Sequence, residues 1–367
     1  MVPLLLSMLT LVFAVMSILY VGRATTEKVR MQDALDAAAL AGAVWEARAL
    51  NFAAYANRAM IAHLVTITQL TSLHSHAQFT EEFLEWLSRG AVLIPTLGPI
   101  ASRLLSVSGK AYRQVALQAN RAGVPAAQFM NDRLSQAQAL MLRAVQAGLP
   151  HIVGQVLAEN DPALRLDPAA LARVARDTRA LGRAVSRGSP EELQGVTWET
   201  LDDFSRRRAW RTPRVGLLPY LEKDGGSALT AQEIRAWDHL FLWHPGWSRL
   251  KLRWQRTPLI QKEARATAFG YRGIPTFLTL AEPMRDRPSV TLAASRALEH
   301  VVQLNATGWE IPGLRGRRAV VQARAEVVYR RPDRDEPPNL YNPFWEARLA
   351  PIARPRIPRP TQAGGAR

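Results

Sequence analysis

The hydrophobic pattern of the first seventy residues predicts one long helix that begins with a membrane span. Residues 2–22 contain no charged side chain, and as a helix they cover about 31 Å, close to the thickness of a bilayer core. After Arg23, apolar residues recur every three or four positions across Met31–Leu70, as they do on one face of a helix. No proline lies between Pro3 and Pro95. We therefore expect a transmembrane helix that continues into a long soluble helix, the spine.

Helical patterns continue beyond the spine, which we expect to end near Leu73–His76. Gly90–Ile100 is apolar, but it is too short to span a membrane and is broken by prolines. We expect it to form a buried hairpin or a lip on the membrane. Pro125 suits the first turn of a later helix, and Gly148 suits its C-terminal stop. Helical patterns cover Glu81–Leu87, Ala111–Ala122, Ala126–Ala147 and Pro168–Ala184.

The pattern changes to shorter, alternating runs after Gly188-Ser189-Pro190, and eight of the ten tryptophans lie beyond this point. Alternation of this kind is typical of β-strands. Ser295–Leu304 fits either a strand or a short helix. The Arg- and Pro-rich tail after Pro351 has too few apolar residues to fold. The strand-like runs are Thr276–Leu280, Val290–Ala294 and Ala319–Tyr329.

These patterns together predict a fold that is mainly α. An N-terminal transmembrane helix continues into a long spine helix and a helical bundle, followed by a small α+β unit with antiparallel strands. The predicted domains are an anchor at 1–22, the spine and bundle at 23–187, the α+β unit at 188–350 and a disordered tail at 351–367.

The composition limits the function classes. A mean hydropathy of -0.10 excludes a multi-span transporter, and the absence of cysteine excludes thiol catalysis, disulfides and cysteine-based metal sites. The net charge of +16 attracts polyanions non-specifically. However, only five of the 47 basic residues are lysine, which indicates a coding bias toward arginine on ordinary surface positions. This argues against a dedicated nucleic-acid partner.

The segment Met31–Ala43 reads Met-Gln-Asp-Ala-Leu-Asp-Ala-Ala-Ala-Leu-Ala-Gly-Ala. Together with the apolar helix and Gly22-Arg23, it resembles the N-terminal segment of the Tad (tight adherence) pilus-assembly proteins, the TadE/TadG-like pseudopilins. Their hallmark is an apolar helix, a Gly-Arg pair and a run similar to this one. The resemblance implies a structural subunit of a pilus or related secretion apparatus.

The same segment has small residues on successive helical turns, and these let another helix approach closely. We expect a helix-packing interface here with other pilin-like subunits. The alternative is that this face packs on the chain's own body. The predicted interface consists of Leu35, Ala38, Gly42, Trp45 and Ala49.

A second resemblance lies near the other end of the chain. Ala325–Pro332 and Asn339–Leu349 look like the C-terminal signature of the longer TadE/TadG-like proteins, a strand followed by an Asn-Leu-Phe-Asn-Pro-Tyr-Trp-x-Ala-Arg-Leu run. We expect Asn342-Pro343 to form a turn that clamps a terminal strand. The two resemblances cover both ends of the chain and leave the middle to inference from the residues.

One stretch has the composition of a chemical site. Asp238, His239 and His244 lie within an aromatic run, and such residues occur in metal and acid–base sites. On a helix, however, two histidines five positions apart point away from each other, which favours an aromatic core element. The chain has no Gly-x-Ser-x-Gly, Gly-x-x-x-x-Gly-Lys or His-Glu-x-x-His motif. We therefore predict no catalytic residue, no cofactor and no metal.

Two arginine clusters are candidates for a polyanion surface, since basic residues near tryptophan can bind phosphate or acidic polymers. A solvated loop is the simpler interpretation in an arginine-rich protein. The candidate residues are Arg206, Arg207, Arg208, Arg211, Arg317 and Arg318.

The expected function is structural: a single-pass protein of the bacterial inner membrane, with the lipid bilayer and other apparatus subunits as partners. Arg23, Lys28 and Arg30 follow the span, so the positive-inside rule alone places the body in the cytoplasm. The resemblance implies the opposite orientation, and we expect the bulk of the chain in the periplasm. Two alternatives remain. One is a membrane-anchored hydrolase with an open pocket around Asp238, His239 and His244, and the other is a membrane-tethered binder of nucleic acid or acidic glycan.

Overall fold

The computed structural model describes residues 2–92, 98–166, 174, 181–248, 251–281, 302–310 and 318–351. Within them the predicted fold class is confirmed, since a long apolar N-terminal helix continues into helical structure and small antiparallel sheets follow. The predicted strand Val290–Ala294 lies outside the described residues, as do the tail after Pro351 and most of the predicted helix Pro168–Ala184. The helices are α1 Val2–Ala91, α2 Gly98–Asn160, α3 Pro190–Thr200 and α4 Asp203–Arg206.

The described strands form three antiparallel groups. The strand bounds are β1 Arg165–Leu166, β2 Val185–Arg187, β3 Trp210–Arg211, β4 Tyr220–Leu229, β5 Ile234–Ser248, β6 Lys251–Arg265, β7 Leu278–Leu280, β8 Val302–Glu310, β9 Arg318–Tyr329 and β10 Trp345–Leu349. A short 3-10 helix, Ala266–Phe269, follows β6.

The first helix, α1, is continuous to Ala91, so the predicted end of the spine near Leu73–His76 is wrong. Residues 43–89 contain neither glycine nor proline, and nothing in this stretch stops a helix. Polar residues at the predicted end are buried instead of marking a surface turn; they are Ser72, His74 and Ser75.

The second helix, α2, joins segments that the sequence predicts as separate helices. Pro125 and Gly148 therefore lie inside a helix and do not mark its start and stop. Proline removes one backbone hydrogen bond, but Val124 and Ala127 beside it are buried, and their packing outweighs that loss. Of the segment Gly90–Ile100, predicted as a buried hairpin or a lip on the membrane, residues 93–97 lie outside the described residues. Val92 and Ile100 are more than half exposed, so the segment is not buried at these two positions, and the lip stays a prediction.

The chain forms two compact units that are each discontinuous in sequence. Unit 1 comprises Met1–Phe52, Leu140–Ser186 and Leu280–Arg367, and unit 2 comprises Ala53–Ala139 and Arg187–Thr279. Each unit contains part of α1, part of α2 and a four-stranded sheet. The predicted consecutive domains stay a prediction.

In unit 1 the sheet has the strand order β1-β8-β9-β10, antiparallel throughout. The predicted strand Ala319–Tyr329 is confirmed as β9. Of the two options for Ser295–Leu304, the described end of that segment belongs to strand β8. β10 pairs with the C-terminal half of β9, and Trp345 lies opposite Tyr329. The last strand is therefore the edge strand of this sheet and lies beside the buried residues Ala325–Tyr329 of β9.

In unit 2, α1 and α2 form an antiparallel hairpin held by polar side chains. Asn120 Nδ2 donates to Leu70 O over 2.7 Å, and Gln138 Nε2 donates to Asn57 Oδ1 over 2.7 Å. Gly123 lets the helices approach, because a Cβ there would lie 2.5 Å from a methyl group of Leu70. These contacts fix one face of α2 on α1.

The other side of α1 in unit 2 carries the sheet β3-β4-β5-β6. Phe79 packs with Leu240 and Ile260, and Phe83 and Leu221 border this cluster. The sequence prediction missed these strands. Unit 2 is thus a layered structure in which α1 lies between α2 and the sheet.

Candidate functional site

The N-terminal part of α1 is an apolar helix whose side chains face solvent. Every residue from Val2 to Leu19 is exposed, with Leu4 at 71%, Leu11 at 66% and Phe13 at 67%. In the part of the chain that the structure describes, α1 is the one helix long and apolar enough to cross a membrane. Apolar surface of this extent is unfavourable in water and is stabilised by hydrocarbon. Residues 2–22 are therefore the candidate anchor.

The burial of α1 changes abruptly within two turns after the anchor. Arg23, Lys28 and Arg30 are exposed, whereas Met31 is 2% exposed and Leu35 is fully buried. The helix does not break between these regions. The anchor and the first core element of unit 1 are consequently one rigid rod.

The predicted helix-packing interface is placed inside the chain. Leu35, Ala38, Gly42 and Ala49 are buried, and Trp45 is half-buried beside Gly148. This is the packing that the alternative interpretation described, a face that contacts the chain's own body. Docking of another subunit on this face stays a prediction, and it requires the covering elements of unit 1 to move.

Two side chains of α1 bond directly to the backbone of the sheet in unit 1. Gln32 Nε2 donates to Gln322 O on β9 over 2.7 Å. Asn51 Nδ2 donates to Trp345 O over 2.9 Å, and Asn51 Oδ1 accepts from Trp345 N–H over 3.0 Å. We call this reciprocal pair between Asn51 and Trp345 the sheet clamp. It fixes the start of β10 against the helix.

Hydrogen bonds within the loop before β10 position Trp345 beside Asn51. Asn339 Oδ1 accepts the N–H groups of Tyr341 and Asn342, which forms a tight turn, and Trp345 Nε1 donates to Asn339 O over 3.1 Å. The Trp345 ring meets Tyr329 edge-on at 5.1 Å. In the structure, the C-terminal signature thus forms a turn leading into the last strand.

Glu336 connects residues of the same loop through hydrogen bonds. Its carboxylate accepts hydrogen bonds from Arg331, Asn339 and Asn342. Burial acts to raise the pKa of Glu336, but the bonds from Arg331 and Asn342 outweigh it and hold the pKa below the usual range. The carboxylate therefore stays charged and accepts these three hydrogen bonds within the loop.

Unit 2 contains a buried charge network centred on Asp238. This side chain is fully buried; it accepts hydrogen bonds from Arg208 Nη2 over 2.9 Å and from Lys223 Nζ over 2.7 Å. His76 Nδ1 lies 3.6 Å from the same carboxylate. Burial acts to raise the pKa of Asp238, but interactions with His76, Arg208 and Lys223 outweigh it and hold the pKa well below its usual range.

The residues of the hydrolase alternative, Asp238, His239 and His244, do not converge. Asp238 is enclosed by its basic partners, His239 lies 3.9 Å from Glu263, and His244 Nε2 lies 3.0 Å from Thr257 Oγ1. They occupy a strand and not a helix, and a bulge after Leu240 shifts the register between the two histidines. The open pocket that the hydrolase alternative requires is therefore contradicted at Asp238.

The arginines of the candidate polyanion surface have different placements. Arg208 is buried in the Asp238 network, which contradicts its assignment to a polyanion surface. Arg206 donates to the carbonyl groups of Trp198 and Glu199 at the end of α3. Arg207 and Arg211 are exposed and stay candidates. Arg317 lies outside the described residues, and of Arg318 the structure describes the backbone in β9.

Sequence reasoning missed both the sheet clamp and the Asp238 network. Asn51 lies 294 residues from Trp345, and no local pattern connects them. A signal did exist for Asp238, since a single acid within the apolar run Trp237–Trp243 demands a buried cation. Among the described residues, no group of three or more histidine and acidic side chains is arranged to hold a metal ion.

Comparison with known proteins assigns the N-terminal segment to a protein family. Residues 1–47 match the model of a family described as putative Flp pilus-assembly TadE/G-like. The match covers the anchor, the charged turns and the start of the buried part of α1. No curated protein and no solved structure matches the chain. The predicted family resemblance is thereby confirmed at the N-terminal end, and the match supports a pilus-assembly component.

Proposed function

We propose that this chain, which carries the N-terminal segment of the Tad/Flp pilus-assembly TadE/TadG-like family, is a pseudopilin-like structural or assembly subunit of such a pilus or a related secretion apparatus. It is anchored in the bacterial inner membrane by residues 2–22 as a single span. Its two units lie on the periplasmic side. Its role is structural and not enzymatic.

The observation that carries this proposal is the continuity of α1. The exposed apolar rod and the buried core of unit 1 are the same helix, so a force or displacement on the anchor is transmitted to the body without a hinge. A cleavable targeting segment needs no such rigid connection to the folded body. Continuity of this kind suits a subunit that is positioned by its membrane helix.

The periplasmic orientation rests on the family match. Arg23, Lys28 and Arg30 favour the opposite orientation by charge alone. Pilus subunits act on the outer side of the inner membrane, so a body in the cytoplasm has no access to an assembling pilus. We give the family match the greater weight.

The partners are the lipid bilayer and other subunits of the apparatus. The predicted interface at Leu35, Ala38, Gly42, Trp45 and Ala49 is one candidate for subunit docking. In the described conformation this face is covered by the chain itself. A partner that used it would exchange places with elements of unit 1.

The experiment that tests the proposal places charges in the anchor. In the double variant Leu9→Arg and Val12→Arg, each arginine costs about 3 kcal/mol near the membrane centre. We expect the protein to leave the membrane fraction and the encoding cell to lose pili. The matched control is Leu349→Arg, an exposed apolar position in the body, which we expect to remain in the membrane and support piliation. Normal pili in the double variant would contradict the proposal.

A further inference from the structure

The first half of α2 has a second apolar face that the fold of unit 2 does not use. One face packs on α1 through residues such as Ala116, Asn120 and Val124, which are fully buried. The opposite face is exposed, although it is largely apolar. We call it the α2 stripe. Its large members are Ile100 at 62%, Leu104 at 66%, Val107 at 56%, Val115 at 67% and Phe129 at 52% exposure.

The α2 stripe follows an 11-residue repeat. Leu104, Val115 and Ala126 are eleven residues apart; Val107 and Phe129 are two repeats apart, with the exposed Gln118 at the position between them. This spacing gives about 3.67 residues per turn, so the stripe runs almost straight along the helix and suits a nearly straight or slightly right-handed helix partner. Exposed alanines alternate with the large residues and leave room for side chains of an opposing helix; they are Ala111, Ala122 and Ala126.

Single exposed apolar residues are ordinary, but a contiguous stripe marks a binding surface. In unit 2 the face of α2 opposite the stripe packs on α1, as the Asn120–Leu70 contact shows. The sheet packs on α1 in turn, as the Phe79–Leu240 contact shows. Arg272 of this unit reaches Asp132 at the end of the stripe, but Leu104, Val107 and Val115 stay more than half exposed, so the fold of the unit gives no reason for their apolar character. A partner outside the unit does.

The charge around the α2 stripe identifies the chemistry of that partner. Residues 98–131 contain four basic residues and no acidic one. Asp132 follows at the end of the stripe, where it pairs with Arg272, and Arg133 lies over the Phe129 ring. Arg113 is paired with Glu81 at 2.9 Å, and Lys110 lies 3.9 Å from Glu85. The two others, Arg103 and Arg121, are exposed and make no ion pair within the described part of the chain; both lie on the same border of the stripe.

We propose that the α2 stripe binds a helix of another subunit that has an apolar stripe bordered by aspartate or glutamate. Such a helix buries the large residues of the stripe and neutralises Arg103 and Arg121. A second copy of α2 is a poor partner, because the borders of its stripe are mainly basic and its one acid there, Asp132, is already paired with Arg272. The stripe consists of other residues than the anchor and the predicted interface at Leu35–Ala49. Because the occupant is another subunit, this proposal rests on the proposed function, but peptide binding to the stripe is measured apart from membrane anchoring and piliation, so the two can fail separately.

Because the chain has no cysteine, Ser108→Cys supplies a unique labelling site beside the α2 stripe. The full chain, labelled there with an environment-sensitive dye and reconstituted in lipid nanodiscs, is titrated with two synthetic helical peptides. Both peptides carry three 11-residue apolar repeats; one is bordered by glutamate and the other by lysine. We expect the glutamate peptide to bind at least about tenfold more tightly.

Substitutions then assign the binding to the α2 stripe. Leu104→Gln is expected to weaken binding of the glutamate peptide about tenfold. The matched control is Met130→Gln, which is 48% exposed on the same helix but lies roughly 100° around it from the centre of the stripe, and we expect no change. Arg103→Gln with Arg121→Gln is expected to remove the preference for the glutamate peptide. Circular dichroism checks that each variant is folded.

Four results would overturn the proposal. The first is equal affinity for both peptides, and the second is no binding of either. The third is a dye shift caused by the nanodisc lipids alone, which would make the α2 stripe a membrane contact. The fourth is self-association in analytical ultracentrifugation that Leu104→Gln abolishes, which would make a second copy the occupant.

Discussion

Asn51 and Trp345 exchange two hydrogen bonds across 294 residues of sequence. The side-chain amide of Asn51 donates to Trp345 O and accepts from Trp345 N–H, at 2.9 and 3.0 Å. A side chain of the helix therefore occupies the place of a neighbouring strand at the start of β10. The pair joins α1, which begins with the family-matched segment, to the segment Asn339–Leu349 within unit 1.

Replacing Asn51 tests how much the sheet clamp stabilises unit 1. Asn51→Ala leaves the N–H and C=O of Trp345 without their partner, and we expect unit 1 to lose about 3 kcal/mol of stability. The measurement is the urea midpoint followed by tryptophan fluorescence in detergent micelles. Arg48→Ala, an exposed change one turn earlier, serves as control and is expected to shift stability by less than about 0.5 kcal/mol. Equal urea midpoints for the two variants would contradict a stabilising role for the sheet clamp.

The Asp238 network predicts a large loss of stability when the Asp238 carboxylate is removed. Asp238→Asn leaves Arg208 and Lys223 buried without a compensating charge, and we expect unit 2 to lose about 3–5 kcal/mol. Glu263→Gln on the adjacent strand is the control, because its side chain is 43% exposed and such surface pairs contribute about 0–1 kcal/mol. Limited proteolysis at rising urea compares the two. A catalytic role for Asp238 predicts instead that Asp238→Asn folds normally.

The Asp238 carboxylate also predicts that the stability of unit 2 depends on pH. The pKa of Asp238 is lowered from its ordinary value of 3.8 in the folded chain, so its contribution is fully present above that value and is lost as the pH falls below it. We expect the stability difference between wild type and Asp238→Asn to shrink as the pH falls from about 5 to about 2. Unfolding curves at stepped pH measure this difference. A difference that stays constant would show that the carboxylate is not the stabilising partner.

A substitution at Ala38 distinguishes packing within the chain from docking of another subunit on the same face. Ala38 is fully buried, and Ala38→Leu adds three carbons to a filled core, so we expect a loss of about 1–3 kcal/mol. The control is Ala139→Leu, the same change at an exposed helical position, which we expect to be neutral. Thermal unfolding in micelles gives the comparison. If Ala38→Leu keeps wild-type stability but loses pili, the face serves a partner, as the sequence predicts.

The elements that the sequence predicts well are those whose physical signal is local. The apolar run at 2–22 and the alternation in Ala319–Tyr329 both identify their elements without knowledge of the rest of the chain. The long strands β4, β5 and β6 were missed because they contain residues that usually interrupt strands, including Gly225, Gly226 and Pro245. Their stability comes from packing on α1, which a local pattern does not contain.

The same distinction applies to the candidate sites. The anchor follows from hydropathy, whereas Asn51 is an ordinary polar residue until β10 is placed beside it. Pro125 and Gly148 have the properties of helix ends, and packing along α2 overrides them. The 11-residue repeat of the α2 stripe is visible in the sequence, but a helix with two apolar faces does not reveal which one the fold covers.

The central claim, a membrane-anchored body outside the cytoplasm, is tested most directly by topology. Two fusions after Arg367 are compared, one to a reporter that is active only outside the cytoplasm and one to a reporter that is active only inside. The anchor double variant Leu9→Arg and Val12→Arg serves as control, because it is expected to lose the outside signal. The proposal predicts activity from the outside reporter alone. Activity from the inside reporter alone would contradict it and would show that Arg23, Lys28 and Arg30 determine the orientation.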